Sequence, residues 1–437
     1  MDSKPFAGKR GEGLAPPLLL FFFAACAILF AACAAPGPPV RGEYPPSPPP
    51  PAAPPAIPIP ESARPALPPA PRPEMAGDRL VRVRVARTPS ALLLGGYAMR
   101  VWDEGGSLVA TENGNVWLQA VGDRIAWGRT KVLPSPVDVR APGGLSLEGR
   151  HLPGRIRIVA RNGEIRVVAV VPLEEYVAAV LSREAAPSFL PEALSAQAVA
   201  VRTYTLSAMA SPRDPDYDVV AGVEDQVFEG VGDIDARFRL ATEATRGEVL
   251  LYRGRLARTV YHSTCGGRTE SAEKVWGTDF PYLRSVYCED CRKSPAWRWE
   301  YRMSPAEGKR IARALGVPAG YDLRIEVAGR TPTGRARNVR LTLGGVMRVI
   351  KASRVRQAAG YARVKSLWME IDPVGDGWRF TGNGYGHGVG MCQWGTNGMA
   401  QWGAGYRKIL ARYYPMTRVA SRSGRPDPLA RGAGGRP

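Results

Sequence analysis

The apolar positions between residues 171 and 205 follow the periodicity of two helices separated by a short break. In the first helix the apolar residues fall at i, i+3, i+4, i+7 and i+8, on one face: Leu173, Tyr176, Val177, Val180 and Leu181. Pro172 suits the first helical position, and Glu174 and Glu175 complement the positive end of the helix dipole. The second helix is predicted to begin at Pro191, with one face that carries Leu194, Gln197, Ala198, Val201, Tyr204 and Thr205.

Glu184 is the next position on the apolar face of the first helix, four residues after Val180 and three after Leu181. The pattern therefore places a carboxylate on the buried side, at the end of the helix. Desolvation there would raise its pKa, and a carboxylic acid that is protonated near neutral pH can donate a proton. The alternative is an acid that reaches solvent or pairs with an arginine. Glu192, in the first turn of the second helix, is interpreted as a partner of the helix dipole.

Alternating apolar positions predict short strands on both sides of the helical pair. Before the pair, strands are predicted at residues 80–85, 98–102, 115–119, 137–139, 155–160 and 164–170. Asn162-Gly163 predicts a tight hairpin turn. After the pair, strands are predicted at residues 247–252, 256–262, 323–327, 336–343, 354–356 and 365–371, and helices at 304–315 and 406–414. The predicted fold class is α+β, a mixed strand-rich body around a central helical pair that carries Glu184.

The pattern divides the chain into six parts. They are an export signal (1–35), a linker rich in proline and alanine (36–77), an N-terminal strand-rich part (78–170), a core (171–300), a C-terminal part (301–418) and a tail (419–437). The linker is expected to be disordered and extended, because proline and alanine cannot bury enough apolar surface. The tail is also expected to be disordered.

The N-terminal 35 residues have a basic start, an apolar run at residues 18–30 and then small residues, which is typical of an export signal. Cys33 follows Phe30-Ala-Ala and is a candidate for lipid attachment, and Cys26 is a second candidate. Ordinary signal-peptidase cleavage near Ala34 or Ala35 is the alternative.

The formal net charge of +19 favours a polyanionic partner such as nucleic acid, anionic lipid or cell-wall polymer. The sequence has no zinc-finger spacing, no ribonucleoprotein motif and no evident basic recognition helix, so nucleic acid is not expected to be the partner.

Two of the three histidines, His262 and His387, lie in glycine-rich turns, where backbone N–H groups can approach a ligand closely. The alternative is that both histidines only hold their turns by local hydrogen bonds. Outside the signal, the cysteines are Cys265, Cys288, Cys291 and Cys392. In an exported protein an even number of cysteines suggests disulfides, but Cys288-x-x-Cys291 also offers half of a zinc site. Cys265 and Cys392, or the histidines, would complete such a site. Disulfides, a zinc site and free thiols therefore remain open.

Five ordered motifs resemble the SpoIID/LytB family, the stage II sporulation protein D and amidase-enhancer proteins of bacterial cell walls. They are Glu192-Ala-Leu-Ser-Ala-Gln197-Ala-Val-Ala-Val-Arg202-Thr-Tyr204, Asp225-Gln226-Val-Phe-Glu-Gly230, Thr245-Arg-Gly-Glu248, His262-Ser-Thr-Cys-Gly-Gly267-Arg-Thr-Glu270 and Gly384-Tyr-Gly-His387-Gly-Val-Gly-Met-Cys-Gln393-Trp-Gly395. The resemblance covers roughly residues 80–418. Some family members carry cysteine or histidine ligands just before the Asp225-Gln226 position; residues 217–226 contain neither, so a metal site of that kind is absent here.

The resemblance implies a lytic transglycosylase that cleaves the MurNAc–GlcNAc bonds of denuded peptidoglycan strands, with Glu184 as general acid and base. The remaining site residues would bind the glycan: Gln197, Arg202, Gln226, His262, His387 and Gln393. The reaction requires no cofactor. An internal 6-hydroxyl nucleophile replaces the second carboxylate that most glycosidases use.

Three other functions remain open at this point. The chain is a non-catalytic glycan-binding enhancer of a cell-wall amidase, a structural lipoprotein that tethers wall to membrane, or an enzyme with Cys392 as nucleophile and His262 or His387 as base. The family commonly has serine at the position of Cys392, which argues against an essential thiolate. In each case the expected location is the cell envelope, on the wall side of the membrane.

Overall fold

A computed structural model describes residues 79–317 and 322–421 of the chain. The predicted export signal, Cys33, the linker up to residue 77 and the tail beyond residue 421 lie outside the described residues. Within them, no helix has the length and apolarity that a bilayer span requires.

Eleven strands form one large sheet. They are β1 (Leu80–Thr88), β2 (Leu92–Asp103), β3 (Leu108–Val121), β4 (Arg124–Trp127), β5 (Lys131–Leu133), β6 (Val137–Arg140), β7 (Leu145–Leu147), β8 (Arg150–Leu152), β9 (Arg155–Arg161), β10 (Glu164–Pro172) and β11 (Val219–Val220). Their order is β11-β1-β10-β9-β6-β2-β3-β4-β5, and β7 joins β2 to β8. In β1 the buried Val81, Val83 and Val85 alternate with less buried residues, as one packed face requires.

The hairpin between β9 and β10 confirms the predicted turn at Asn162-Gly163. Arg161 pairs with Glu164, and both turn residues have positive φ, 53° and 73°. Asn and Gly tolerate this conformation better than other residues, which is why the pair marks such turns.

Eight helices lie in the described residues. They are α1 (Leu173–Glu184), α2 (Pro191–Met209), α3 (Ala236–Ala244), α4 (Ala272–Trp276), α5 (Pro305–Ala314), α6 (Ala352–Ala359), α7 (Gln393–Gln401) and α8 (Tyr406–Tyr413). A 3-10 helix spans Glu289–Cys291. Pro172 precedes α1 as its N-cap instead of occupying its first position. The α+β fold with a central helical pair is confirmed.

Helix α2 is buried on every side along residues 193–203, whereas the sequence analysis assigned contacts to only one of its faces. It contacts α1, α3, α7 and α8, and residues 193–203 are all buried. The many alanines let these neighbours approach closely, so the helix needs no polar face. The helix is therefore stabilised by neighbours on all sides and does not need an amphipathic distribution of residues.

The remaining strands form small sheets. They are β12 (Glu248–Tyr252), β13 (Arg255–Leu256), β14 (Tyr261–His262), β15 (Gly267–Arg268), β16 (Tyr287–Cys288), β17 (Trp299–Met303), β18 (Arg324–Val327), β19 (Asn338–Leu343), β20 (Val346–Lys351), β21 (Met369–Val374), β22 (Gly377–Gly382), β23 (Met391–Cys392) and β24 (Arg418–Ser421). β24 pairs with β12 as far as Ser421, so ordered structure continues past the predicted start of the tail at residue 419.

Residues 299–380 build a second hydrophobic core, separate from the one that the large sheet shares with α1 and α2. The predicted part 301–418 therefore does not pack as one body, because Val389 to Tyr414 return to the first core. The chain leaves and returns at one place, where Gly384 N donates to Ala296 O at 2.9 Å.

Candidate functional site around Glu184

Glu184 is the last residue of α1, and its carboxylate lies partly buried beside the segment after Gln226. Its Oε1 accepts a hydrogen bond from Val227 N at 2.9 Å. Burial raises the pKa of Glu184, while the Val227 N–H and the Gln393 side chain act in the opposite direction. Within residues 79–317 and 322–421, no arginine or lysine shifts this pKa. The geometry is that of a shielded acid, as the sequence predicted, and not that of an ion pair.

Two tyrosines and a glutamine form a hydrogen-bonded network next to this acid. Gln226 Oε1 accepts from Tyr176 Oη at 3.1 Å and from Thr205 Oγ1 at 2.9 Å, and Gln226 Nε2 donates to Tyr261 Oη at 3.0 Å. Burial raises the pKa of Tyr176 and Tyr261, and the charge of Glu184 adds to both shifts. Both the oxygen and the nitrogen of the Gln226 amide are thus engaged by neighbouring side chains, so Gln226 helps to hold the tyrosines beside Glu184 in place.

The two histidine turns converge. β14 and β23 run parallel, with Tyr261 opposite Met391. The ring centroids of His262 and His387 are 5.5 Å apart, and that of His387 is 5.1 Å from Trp276. Both turns therefore meet next to Cys392, the residue before Gln393 at the start of α7.

Both histidines are neutral near pH 7. His262 Nδ1 donates to Val389 O at 3.0 Å. His387 Nε2 donates to Tyr261 O at 2.9 Å and its Nδ1 accepts from Val389 N at 3.0 Å. Desolvation lowers the pKa of His387 to about 4 and also lowers that of His262. Both ring nitrogens of His387 form hydrogen bonds that hold its turn, whereas Nε2 of His262 has no hydrogen-bond partner.

Thirteen buried side-chain nitrogen or oxygen atoms have no hydrogen-bond partner among the described residues, and three of them belong to predicted site residues: Gln197 Nε2, His262 Nε2 and Gln393 Nε2. A buried polar atom without a partner costs about 1–3 kcal/mol, so such atoms are rare unless a ligand or water completes them. Gln393 begins α7, which contacts α2, the helix of Gln197. Gln393 also affects the pKa of Glu184, which places it at the acid.

Arg202 does not lie at the Glu184 carboxyl but is packed within the helical pair. Its side chain is fully buried, and it donates to Glu174 from Nε at 2.8 Å and from Nη2 at 2.6 Å. It also donates to Glu248 O at 3.2 Å and Thr242 O at 3.1 Å. No part of the guanidinium is open to a sugar, so the substrate contact predicted for Arg202 is replaced by a structural role.

The four body cysteines gather in one buried cluster, with all four Sγ atoms within 4.8 Å of one another and no disulfide among them. The Sγ of Cys392 accepts from Cys265 N at 3.2 Å and Gly395 N at 3.3 Å, and no hydrogen bond links it to a histidine among the described residues. This arrangement does not support Cys392 as a nucleophile with a histidine base. No disulfide of the expected alternative joins these four cysteines in the described structure.

A cavity of about 490 Å³ adjoins the histidine turns, lined by His387, Trp276, Arg335 and Asn338 among others. Glu184 is not one of the residues that line it. The cavity and the acid are therefore separate features of the same region.

Comparison with known proteins places these features in a family. The profile of the "Stage II sporulation protein" family matches residues 161–252, and that of a domain of unknown function, DUF8618, matches residues 281–390. An uncharacterized protein of Brachyspira hyodysenteriae is 34% identical over 272 residues, which cover 62% of this chain and 73% of the relative. Stage II sporulation protein D of Bacillus subtilis is 30% identical over 266 residues, 57% of this chain and 75% of the relative. The chain belongs to the stage II sporulation protein D family.

A more distant family relative is the amidase enhancer of Bacillus subtilis, 27% identical over 291 residues, 55% of this chain and 40% of the relative. The sporulation-family profile contains Glu184, Gln197 and Gln226, whereas His262 and Gln393 lie outside both matched ranges. The site is thus assembled from more of the chain than the profile covers.

Proposed function

We propose that this protein is an exported peptidoglycan-remodelling enzyme, a lytic transglycosylase that cleaves the MurNAc–GlcNAc bonds of denuded glycan strands. The observation that carries the proposal is the shielded carboxyl of Glu184, whose pKa burial raises, with the Val227 N–H and the Gln393 side chain against it. Membership of the stage II sporulation protein D family and a relative named amidase enhancer support a cell-wall-related function in the cell envelope. The net charge of +19 suits an anionic polymer.

Glu184 would act twice in one turnover. As a carboxylic acid it gives its proton to the glycosidic oxygen while the bond from that oxygen to C1 of the muramic acid breaks. The resulting carboxylate takes the proton of the 6-hydroxyl of the same sugar, and the hydroxyl oxygen attacks C1 to close a 1,6-anhydro ring. The acid is regenerated, and no water is consumed.

A single carboxyl group suffices for this sequence, whereas most glycosidases place two carboxyl groups about 5–10 Å apart. Asp225 is the acid next to Gln226 in the sequence, and it is engaged elsewhere. It accepts from Tyr204 Oη at 2.6 Å and from Val220 N at 2.9 Å, and it forms an ion pair with Arg213. These contacts support a reaction that uses an internal hydroxyl instead of an activated water.

Side-chain nitrogens of three site residues would supply the expected sugar contacts. The Gln197 amide would donate a hydrogen bond, the free Nε2 of His262 would accept one, and the Gln393 amide, which donates toward Glu184, has a second N–H to offer. Hydroxyl and acetamido groups of a glycan offer the complementary partners. We therefore retain these three residues as substrate-binding residues, and His387 as the residue that positions the turn.

The direct test is incubation of the purified protein with denuded glycan strands. We expect products with 1,6-anhydro-muramyl ends, which mass spectrometry distinguishes from hydrolysed ends because they are lighter by one water. Strands that still carry stem peptides serve as the comparison and should be cut more slowly. Hydrolysed ends, or no cleavage of strands that the protein binds, would overturn the transglycosylase assignment.

A non-catalytic role is the second candidate, because one relative is named amidase enhancer. In that case the proposed site would bind glycan without cutting it, and a cell-wall amidase would be the partner. Addition of the protein to a purified amidase and cell wall distinguishes the two. Equal stimulation by the wild type and Glu184→Gln, without anhydro products from either, would favour the enhancer.

Export and attachment to the membrane rest on residues outside the described structure. We propose that residues 1–35 direct export and that lipid attachment at Cys33 retains the protein at the membrane, with residues 36–77 as a spacer toward the wall. Metabolic labelling with a radioactive fatty acid tests this, since Cys33→Ala should lose the label.

Replacement of Gln393 by alanine should shift the pH dependence of cleavage. Gln393 lowers the pKa of Glu184, so its removal lets that pKa rise and keeps the acid protonated to higher pH. The alkaline limb of the rate profile should therefore move upward in pH, and the rate should fall about tenfold through the lost contact. Gln401→Ala, at the exposed end of the same helix, is the control and should leave the profile unchanged. An unshifted limb in Gln393→Ala would remove Gln393 from the site.

A further inference from the structure

The four-cysteine cluster lies behind the histidine turns and has no part in the proposed glycan chemistry. Its members come from four short elements: Cys265 from the turn after β14, Cys288 from β16, Cys291 from the 3-10 helix and Cys392 from β23. All four are at most 1% exposed. Four sulfur atoms from distant parts of the chain thus lie together in a site that is shielded from solvent.

The spacing of the sulfurs fits one tetrahedral ion. With metal–sulfur bonds of about 2.3 Å, the edge of a tetrahedral four-cysteine site is about 3.8 Å. The Sγ atoms of Cys265 and Cys291 are 3.5 Å apart, and no pair exceeds 4.8 Å. A disulfide requires about 2.05 Å, and it would join only two of four sulfurs that all face each other.

Backbone N–H groups point at the sulfurs, as they do around thiolate ligands. Cys392 Sγ accepts from Cys265 N at 3.2 Å and from Gly395 N at 3.3 Å, and Cys265 Sγ accepts from Gly267 N at 3.4 Å. Such contacts partly neutralise the charge of thiolates and orient them toward a shared ion.

The site is also built tightly around Cys288. Its Sγ lies 3.0 Å from Tyr413 Oη. A Cβ on Gly395 would lie 2.4 Å from this Sγ and 2.2 Å from the phenol oxygen, so only glycine fits there. The close fit fixes the direction of the sulfur.

A buried arginine side chain lies beside the cluster. Arg335 is 4% exposed, and its Nη2 donates to Cys265 O at 3.0 Å and to Arg268 O at 2.7 Å. Four thiolates around a divalent ion carry a net charge of −2, so a neighbouring guanidinium offsets part of that charge.

We propose that Cys265, Cys288, Cys291 and Cys392 bind one structural Zn²⁺ ion that ties the two histidine turns together. Thiolate sets of this kind and geometry favour zinc, and a site closed by four protein ligands leaves no position open for catalysis. Cys265 lies three residues after His262, and Cys392 directly precedes Gln393. The ion would thereby fix the position of both proposed glycan-binding residues. The proposal concerns the stability of this region and does not depend on the glycan reaction.

The metal content of the full-length protein, purified under reducing conditions, tests the proposal. We expect one zinc per chain by elemental analysis, and X-ray absorption should give four sulfur neighbours at about 2.3 Å. Replacement of zinc by Co²⁺ on the wild type should produce the charge-transfer bands of a tetrahedral thiolate site. Removal of zinc by a chelator should lower the Tm by at least about 5 °C.

Cys288→Ser should lower the zinc content about tenfold or more, whereas Ser294→Ala, a buried neighbour outside the cluster, should keep it. The wild-type measurements stand even if the cysteine variant does not fold. A metal-free wild type with disulfides between these cysteines by mass spectrometry would overturn the proposal, and so would iron in place of zinc. Neither result would bear on whether Glu184 cuts glycan.

Discussion

Glu184→Gln is expected to reduce the release of anhydro products from denuded glycan by about 100-fold to 10,000-fold. Glutamine keeps the size of the side chain and an oxygen for the Val227 N–H, but it can neither give nor take the proton. Product release by mass spectrometry, with binding of the same strands measured separately, gives the result. Binding should persist, because the neighbouring polar groups are unchanged.

The stability of this variant provides a second readout. Burial raises the pKa of Glu184 in the folded state above its value in the unfolded chain. Protonated Glu184 therefore contributes stability below the unfolded-state pKa, and this contribution is lost as pH rises through the raised folded-state pKa. Above that value the wild type holds a partly buried charge that glutamine lacks. Glu184→Gln should therefore be at least as stable as the wild type at pH 8, in denaturant unfolding.

The same shift sets the pH dependence of cleavage. The acid must be protonated to act, so the rate should fall as pH rises through the raised pKa of Glu184. Glu192→Gln is the matched control: Glu192 is exposed, accepts from Tyr406 N at 2.6 Å and should be dispensable. Near-normal cleavage by a folded Glu184→Gln would refute the assignment of the acid.

Arg202→Met is expected to lower the free energy of unfolding by about 3–5 kcal/mol, the cost of leaving one partner of a buried ion pair alone. Glu174 would keep only the Gly247 N–H at 3.3 Å, and the carbonyls of Glu248 and Thr242 would lose a donor. Arg202→Lys should also be costly, because an ammonium group cannot make the two-pronged contact. Denaturant midpoints measure both.

Two comparisons make this prediction specific. Arg302→Met removes an ion pair with Glu300 at 3.0 Å, in which the side chains are 74% and 47% exposed, and should cost less than about 1 kcal/mol. Adding Glu174→Gln to Arg202→Met should recover part of the loss, because the unpaired charge disappears. A stable Arg202→Met with weakened glycan binding would restore the substrate-binding role that the sequence suggested.

Local patterns in the sequence were sufficient for the helical pair and the hairpin. The face of α1 follows from the spacing of Leu173 to Leu181, and the turn at Asn162-Gly163 follows from the φ angles these residues allow. Residues 354–356 show where such patterns fail: they alternate like a strand but lie in α6, whose buried Ala352, Val355 and Ala359 follow a helical spacing. α3 and α7 were missed as well, and in α7 the two glycines conceal the helix.

The site could be predicted only in part, because its polar pairing is set by tertiary contacts. The motifs identified Gln226 and Arg202, but whether each is free or paired depends on Tyr176, Tyr261 and Glu174, which are distant in sequence. Tyr261 was missed, since nothing nearby marks its hydroxyl as a partner of Gln226. The cysteine spacing, in contrast, already contained a metal site among its alternatives.

The meeting of Ala296 and Gly384 brings together the two ends of the segment that builds the second core, so insertions in its outer loops have little effect on the turns on either side. Lengthening a flexible loop costs only about 0.6 kcal/mol for each doubling of its length. Residues 331–335 are the exception, because Thr331 and Thr333 donate to Glu270, and Arg335 donates to the carbonyls of Cys265 and Arg268. Sequence searches for related sites should therefore allow variable lengths around this short stretch but require the stretch itself between the two turns.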